Sequence, residues 1–289
     1  MQIIRSVDEL VGYVAMQKNH HHSIGLVPTM GALHAGHISL VERAVKENDT
    51  AIASVFVNPT QFNNPDDLKN YPRTEEEDIR ILAQAGVAAV FVPSVEEIYP
   101  DGAKPEKVYD LGTAAEVMEG KFRPGHFQGV AQIVSRLFLL ARPDRAYFGE
   151  KDFQQIAVIR NMVKSEGIEV EIVDCPICRD VDGLALSSRN ALLTEEQRSR
   201  APEIYAVLRA SVEYSMSHTV AETHAKVVAL LDSVPEMRVE YFEIVDASTL
   251  LPVEQWDEAE RIQGCITVYN GSVRLIDNIR YRPLSSESV

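Results

Sequence analysis

Cysteine is scarce in this 289-residue chain. Cys175, Cys178 and Cys265 are too few, and odd in number, to build a disulfide scaffold, so a reducing compartment is expected. Basic charge is also short: 28 lysines and arginines stand against 43 acidic residues, a formal net charge of -15. That sign disfavours sequence-independent binding to nucleic acid or to an anionic membrane, because both need clustered cations. It still permits an anionic small molecule, since one pocket can be basic inside an acidic protein. No apolar run approaches the roughly 20 residues of a transmembrane helix, and Met1–Glu9 lacks the basic-then-apolar layout of a signal peptide. A cytoplasmic protein without nucleic-acid or membrane partners is the expectation. Internal repeats and low-complexity segments are missing as well. Gly-x-x-x-x-Gly-Lys-Ser/Thr, Gly-x-Gly-x-x-Gly and His-Glu-x-x-His do not occur. A P-loop kinase, an ordinary dinucleotide-dependent dehydrogenase and a common zinc hydrolase lose their main support.

What remains suffices for a substantial core, with 45% hydrophobic and 25% charged residues. Over the first ~175 residues short apolar runs alternate with amphipathic stretches, the pattern of parallel βαβ units. Strands are predicted at Ile24–Val27, Ala51–Val57, Ala88–Val92, Ala146–Phe148 and Glu169–Val173. Helices are predicted at Ile38–Val45, Val130–Leu140 and Phe153–Val163, with a long polar loop from Asn58 to Arg73. Thr74 can cap a helix whose first turn, Glu75-Glu76-Glu77-Asp78, sets negative charge at the positive dipole end. Beyond residue 176 the texture changes to charged helices, one opened by Thr194 and one over Val220–Leu231, then short β segments at Val239–Val245, Ile266–Tyr269 and Val273–Ile276. Asn270-Gly271 between the last two is a hairpin signal, because both residues tolerate positive φ. The expectation is an α/β protein: a Rossmann-like parallel-sheet domain over 1–176 and a smaller α+β domain over 177–289.

The most informative stretch is Pro28-Thr29-Met30-Gly31-Ala32-Leu33-His34-Ala35-Gly36-His37, between a predicted strand and a predicted helix. Glycines let the backbone approach a ligand, and a helix N-terminus presents N–H groups to phosphate. His34 and His37, three apart, fall on one side of the first turn and can donate to a phosphoryl group as its charge grows. A lone histidine there would read equally well as a cap or a packed ring. Leu186-Ser187-Ser188-Arg189 offers two hydroxyls and a forked cation suited to a triphosphate, though taken alone it reads as an exposed loop. At Gly149-Glu150-Lys151-Asp152 the chain again turns from strand to helix, with Lys151 able to neutralise phosphate and Asp152 to hold ribose or a metal-bound water. Surface charge at a helix start is the plainer reading. Gln61 and Gln155 are amides able to fix a hydroxy acid. His20-His21-His22 reads as a solvated loop.

The histidine motif and the Ser-Ser-Arg segment together resemble the HIGH and KMSKS signatures of adenylate-forming and nucleotidyltransferase folds. The fuller wording is more specific. Pro28–His37, Val57–Asn63, Tyr71–Thr74, Phe122-Arg123-Pro124-Gly125-His126-Phe127, Phe148–Asp152 with Gln154-Gln155, and Asp182–Asn190 resemble, in order, the pantothenate synthetase (pantoate–β-alanine ligase) family. That resemblance implies adenylation of pantoate by ATP, with loss of pyrophosphate, then attack by β-alanine to give pantothenate and AMP. It implies a nucleotide site at Met30, Gly31, Ala32, Leu33, His34, Ala35, Gly36 and His37, with His37 as proton donor. Gly149, Glu150, Lys151 and Asp152, the backbone at Cys178, and Leu186, Ser187, Ser188 and Arg189 would complete it. Gln61 and Gln155 would hold pantoate, Gln61 also bordering β-alanine, and catalysis would rest on His37, His34, Lys151 and Arg189. ATP would enter with Mg²⁺, assisted by Glu77 or Asp78, with no organic prosthetic group, and the family implies a homodimer. Leu-Ser-Ser-Arg lacks the lysines of the synthetase form, so Lys151 and Arg189 must supply the cationic help.

Two rival readings stay open. Another enzyme of the same fold, such as a nucleotidyltransferase or a tRNA synthetase-like protein, fits the signatures, although the acidic charge counts against tRNA. From a different class, Cys175-Pro176-Ile177-Cys178 could mark a redox or metal module, but one such pair supplies only two ligands.

Overall fold

The computed structural model describes residues 1–104 and 107–283. Pro105, Glu106 and the last six residues of the expected 177–289 region lie outside the described residues. The chain forms two compact units. The first comprises Met1–Ala115, Glu119–Glu150 and Gln155–Pro176, and the second takes Glu116–Met118, Lys151–Gln154 and the chain from Ile177 onward.

Six strands make the sheet of the first unit: β1 (Gln2–Ile4), β2 (Ile24–Thr29), β3 (Thr50–Val55), β4 (Ala89–Phe91), β5 (Arg145–Gly149) and β6 (Glu171–Cys175). Its helices are α1 (Val7–Asn19), α2 (Ala35–Glu47), α3 (Pro65–Asn70), α4 (Glu75–Gln84), α5 (Val95–Ile98), α6 (Glu119–Phe122), α7 (His126–Ala141) and most of α8 (Phe153–Glu166). The strand order is β1-β4-β3-β2-β5-β6, with every pairing parallel. Residues Val27, Ala51, Ala53, Val55 and Val90 on one face pack with Leu40, Val41 and Ala44 of α2 and Leu82 of α4. The alternate residues face the other way, where Phe138 of α7 meets Phe148 of β5 edge-on with centroids 6.5 Å apart. Burial on both faces explains why these strands read as unbroken apolar runs. Each buried Val or Leu contributes about 1.5–3 kcal/mol.

Parallel connections leave β2 with β3 on one side and β5, some 120 residues later in sequence, on the other. The order therefore reverses between β2 and β5, and the crevice at their C-terminal ends is where such sheets bind ligands. The turn after β2 and the end of β5 flank it.

Two parts of the first unit differ from the sequence reading. The polar segment 58–73 is not a bare loop: it holds a 3₁₀ turn at Pro59–Gln61 and helix α3, with Asn58 and Asn64 as side-chain caps and Pro65 opening α3. Arg73 donates to the carbonyls of Leu68 (3.0 Å) and Tyr71 (3.1 Å), closing that helix. At the N-terminus the structure adds β1 and α1, the helix opened by a reciprocal capping box of Ser6 and Glu9, worth about 1 kcal/mol. The His20–His22 tract is exposed, with the His22 ring against Gln17.

The second unit carries β7 (Met237–Asp246), β8 (Ile262–Asn270) and β9 (Val273–Arg282) as an antiparallel sheet, with α9 (Glu195–Arg200), α10 (Glu203–Tyr214) and α11 (Val220–Asp232). Ile204, Leu208, Val227 and Leu231 of these helices share a core with Phe242, Ile266, Val268 and Leu275 of the strands. The β8–β9 hairpin forms where predicted, with one change. Asn270 closes the strand, buried and donating to the Gln197 carbonyl, while Gly271 alone takes positive φ (59°).

Candidate active site

The turn after β2 is a closed hydrogen-bonded device. Thr29 donates from its hydroxyl to the Ser54 carbonyl on β3 (2.7 Å) and accepts from the Gly31 N–H (3.2 Å). Gly31 (φ 80°) and Ala32 (φ 50°) then adopt left-handed backbone. A Cβ at Gly31 would lie 2.9 Å from Asp78 Oδ2 and 3.1 Å from Val55, so both conformation and space require glycine. Asp78, on α4 and 1% exposed, accepts from the Ala32 N–H (2.9 Å) and the Leu33 N–H (2.8 Å). The Thr74 hydroxyl donates to both its oxygens at 3.2 Å. Thr74 thus serves Asp78 and makes no side-chain cap of α4.

His34 is the N-cap of α2. Its Nδ1 accepts from the Gly36 N–H (3.2 Å), and His37 Nδ1 accepts from the His34 N–H (3.3 Å). The rings sit 4.1 Å apart, centroid to centroid. A nitrogen that accepts cannot carry the proton, so both rings are neutral with hydrogen on Nε2. This revises the simplest expectation from sequence. Four N–H groups of the turn are answered internally, by Asp78 and by the two rings.

Gln61 lies in the same unit, 8% exposed. Asn58 Nδ2 donates to its Oε1 (3.1 Å) and to the Gly129 carbonyl (3.0 Å), and Gln61 Nε2 reaches Met30 Sδ at 3.0 Å. The amide is therefore fixed, with its NH₂ toward the turn that precedes the histidines. Tyr99 donates to Asn58 Oδ1 (2.8 Å). Asn58 is a residue that the sequence reading did not single out; its signal was the Asn-Pro pair that caps a turn. Gln155 is half-buried, and its side chain makes no hydrogen bond among the described residues. A cavity of about 360 Å³ adjoins the turn, lined by Met30, Gly31 and Asp78 together with Pro59, Leu68 and Arg73 of the 58–73 segment.

Gly149 ends β5 and Glu150 begins a 3₁₀ turn. Lys151 and Asp152 cluster with the second unit, where Asn278 Nδ2 donates to the Lys151 carbonyl (3.1 Å) and the two charges stand 4.0 Å apart. Ser187, Ser188 and Arg189 also lie in that unit, on a short 3₁₀ helix that Ser187 caps by accepting from the Arg189 N–H (3.3 Å). A tight antiparallel bridge carries it: Leu186 donates to the Cys178 carbonyl (3.0 Å) and Asp180 to the Leu184 carbonyl (2.8 Å). Arg179 anchors the base through a two-pronged pair with Asp277 (2.7 and 2.9 Å) and lies 3.7 Å over the Tyr205 ring. Arg198 grips the tip through Asp180 (2.7 Å) and Asp182 (2.6 Å). Asn190 Oδ1 is buried without a hydrogen-bond partner among the described residues.

Glu77 and Asp78, either of which was expected to assist a metal, lie on different faces of α4. Glu77 pairs with Arg80 (2.5 Å) on the exposed face while Asp78 is buried under the turn. No group of three or more His, Cys, Asp or Glu that could hold a metal is found among the described residues. Cys175 is a free, buried thiol that Arg43 approaches at 3.7 Å, and burial pushes its pKa up despite that cation. Burial and a raised pKa run opposite to the exposed, low-pKa thiol of a redox pair.

A family model described as pantoate-beta-alanine ligase matches residues 2–280. The pantothenate synthetase of Porphyromonas gingivalis is 56% identical over 281 residues, covering 97% of this chain and 99% of its own. Among solved structures, pantothenate synthetase from Thermus thermophilus superposes with a TM-score of 0.91 at 45% identity, over 98% of this chain and 100% of that one. The pantoate-beta-alanine ligase of Francisella tularensis, solved with beta-gamma ATP and beta-alanine, gives 0.80 at 37% identity, over 97% and 98%.

Proposed function

The chain belongs to the pantoate–β-alanine ligase family, and from that membership we infer that it condenses pantoate with β-alanine at the expense of ATP. A pantoate carboxylate oxygen attacks the α-phosphorus and pyrophosphate leaves. The β-alanine amine then attacks the acyl carbon, loses a proton and expels AMP, giving pantothenate.

The observation that carries the residue assignment is the pair of backbone N–H contacts to Nδ1 of His34 and His37. Adenylation needs no covalent nucleophile on the enzyme; it needs two anions held together and the charge on phosphorus met by donors already in place. His34 and His37 offer Nε2–H groups on rings that the backbone holds from the other side. His37 is assigned as proton donor to the phosphates, with His34 beside it, and Met30–His37 as the wall of the nucleotide site. Gln61, its amide set by Asn58, is assigned to pantoate and the β-alanine position, and Gln155 to pantoate. Lys151 and Arg189 supply the cations, with Gly149, Glu150, Asp152, Cys178, Leu186, Ser187 and Ser188 around the nucleotide. Mg²⁺ is assigned to the substrate as MgATP, since an ion that keeps its waters and binds phosphates needs few protein ligands. Family membership also carries the expectations of a homodimer and of a cytoplasmic enzyme. No helix among the described residues is long and apolar enough to cross a membrane.

The test is AMP release by the purified enzyme with ATP, Mg²⁺, pantoate and β-alanine, each omitted in turn. AMP is expected only with all four. His37→Ala is expected to lower the rate by about a hundredfold or more while the protein stays folded. Full activity in His37→Ala would remove the histidine assignment.

A further inference from the structure

The segment Phe122–Phe127 is part of the family wording, yet no step of the reaction uses it. Its structure is specific. Glu119 on α6 pairs with Arg123 (3.5 Å), both side chains largely buried. Gly125 takes φ 83° and ends that run, and His126 opens α7. The His126 ring is 7% exposed, with Nδ1 2.8 Å from the Gln61 carbonyl and Nε2 3.2 Å from Arg123 Nη1. A carbonyl only accepts, so Nδ1 carries the proton and Nε2 is the acceptor for the guanidinium. Glu119, Arg123 and His126 thus form one directed chain ending on the backbone of Gln61.

One turn along α7, Gly129 completes the grip. A Cβ there would lie 2.3 Å from the Thr60 carbonyl oxygen and 2.6 Å from Gln61 Cα. Backbone meets backbone at that point, and no side chain fits between them. The first turn of α7 therefore fixes Gln61 at its carbonyl through His126 and at its Cα through Gly129, while Asn58 sets its amide.

We infer that His126, oriented by Arg123 and Glu119, is a positioning residue that sets the Gln61 amide against the acid and amine substrates and leaves ATP binding untouched. This rests on the assignment of Gln61 to those substrates. A histidine that only fills the core would alter stability and all substrates alike; one that positions Gln61 divides the KM values.

Steady-state KM for pantoate, β-alanine and ATP, with Tm, would be measured on the full-length enzyme carrying His126→Phe, His126→Asn or Gln61→Asn. His126→Phe deletes the donor to the Gln61 carbonyl and is expected to raise KM for pantoate about tenfold, the size of one lost hydrogen bond to a buried acceptor, with KM for ATP unchanged. His126→Asn places an amide N–H near the lost Nδ1–H and is expected to restore most of that loss. A common rise in all three KM values, or a lowered Tm with no change in KM, overturns the inference. So does a parental KM in His126→Phe while Gln61→Asn raises it. If Gln61→Asn leaves KM for pantoate unchanged, the assignment of Gln61 fails first and the inference falls with it. Should His126→Phe not fold, Arg123→Gln reads the same chain: a smaller rise confined to pantoate and β-alanine supports it, and unchanged values overturn it.

Discussion

The two units hold their proposed site segments by different means. In the first, the turn at residues 29–37 is tied by groups removed from water: Asp78 is 1% exposed and Thr29 8%, and each answers a backbone N–H of the turn. In the second, the bridge bearing Ser187–Arg189 is anchored at its base by the buried Arg179–Asp277 pair. At its tip it is held by Arg198, whose side chain and those of Asp180 and Asp182 are 32%, 41% and 37% exposed. Buried acceptors are costly to remove, whereas half-exposed ion pairs are screened and weak. The histidine turn is thus preset, and the Asp180–Asp182 tip of the bridge can be loosened at little cost.

The widest test of this contrast is Asp78→Ala. It removes the acceptor of two half-buried N–H groups, and a loss of about 2 kcal/mol in stability is expected. Displacement of the histidine pair should lower kcat/KM for ATP by about a hundredfold; urea unfolding and ATP–pyrophosphate exchange read the two. A rate near the parental value would show that the turn holds itself without its carboxylate. Arg198→Ala is expected to do far less, about 1 kcal/mol or under. Its signature should be faster amide exchange over residues 178–190 with residues 29–37 unchanged, and slow exchange at the tip would erase the distinction between the units. The smallest effect belongs to Asp144, which accepts from the Ile24 N–H (2.6 Å) and Lys18 (2.7 Å). Burial opposes its ionisation, yet the Lys18 and Ile24 contacts outweigh that and hold its pKa below the ordinary value. A carboxylate depressed in the folded state stabilises above its unfolded pKa, and that share is lost as pH falls from about 4 downward. Asp144→Asn should flatten this acid limb by under about 1 kcal/mol and leave neutral activity alone.

Legibility in the sequence followed distance along the chain. The strand–turn–helix at 24–47 and the 270–273 hairpin were readable, since their signals are local: apolar runs, glycines, an Asn-Gly pair. Helix α3 and α1 carried local signals too, Asn-Pro at 64–65 and Ser6 with Glu9, but polar composition and the shortness of β1 masked them. What no local pattern reveals is partnership at long range. Asp78 accepts from backbone N–H groups of the turn from 45 residues away. His126 reaches Gln61 across 65 residues, and nothing in Arg-Pro-Gly-His-Phe announces that contact. The parallel sheet was inferred correctly from the alternation of strands and helices, whereas its strand order depends on pairings that sequence spacing leaves free.

That strand order bears on how the protein is made. β2 meets its second neighbour only when β5 arrives, Gly25 opposite Arg145 and Leu26 opposite Ala146. A chain emerging from the ribosome can pair β2 with β3, and β3 with β4, early, but one wall of the crevice is missing until residue 149 has been synthesised. Closing so long a loop is slow compared with local pairing. During that interval β2, five of whose six residues are buried in the finished sheet, exposes a bare edge of the kind that recruits other chains. The arrangement that places β2 at the centre of the sheet also leaves that centre open until β5 has been made.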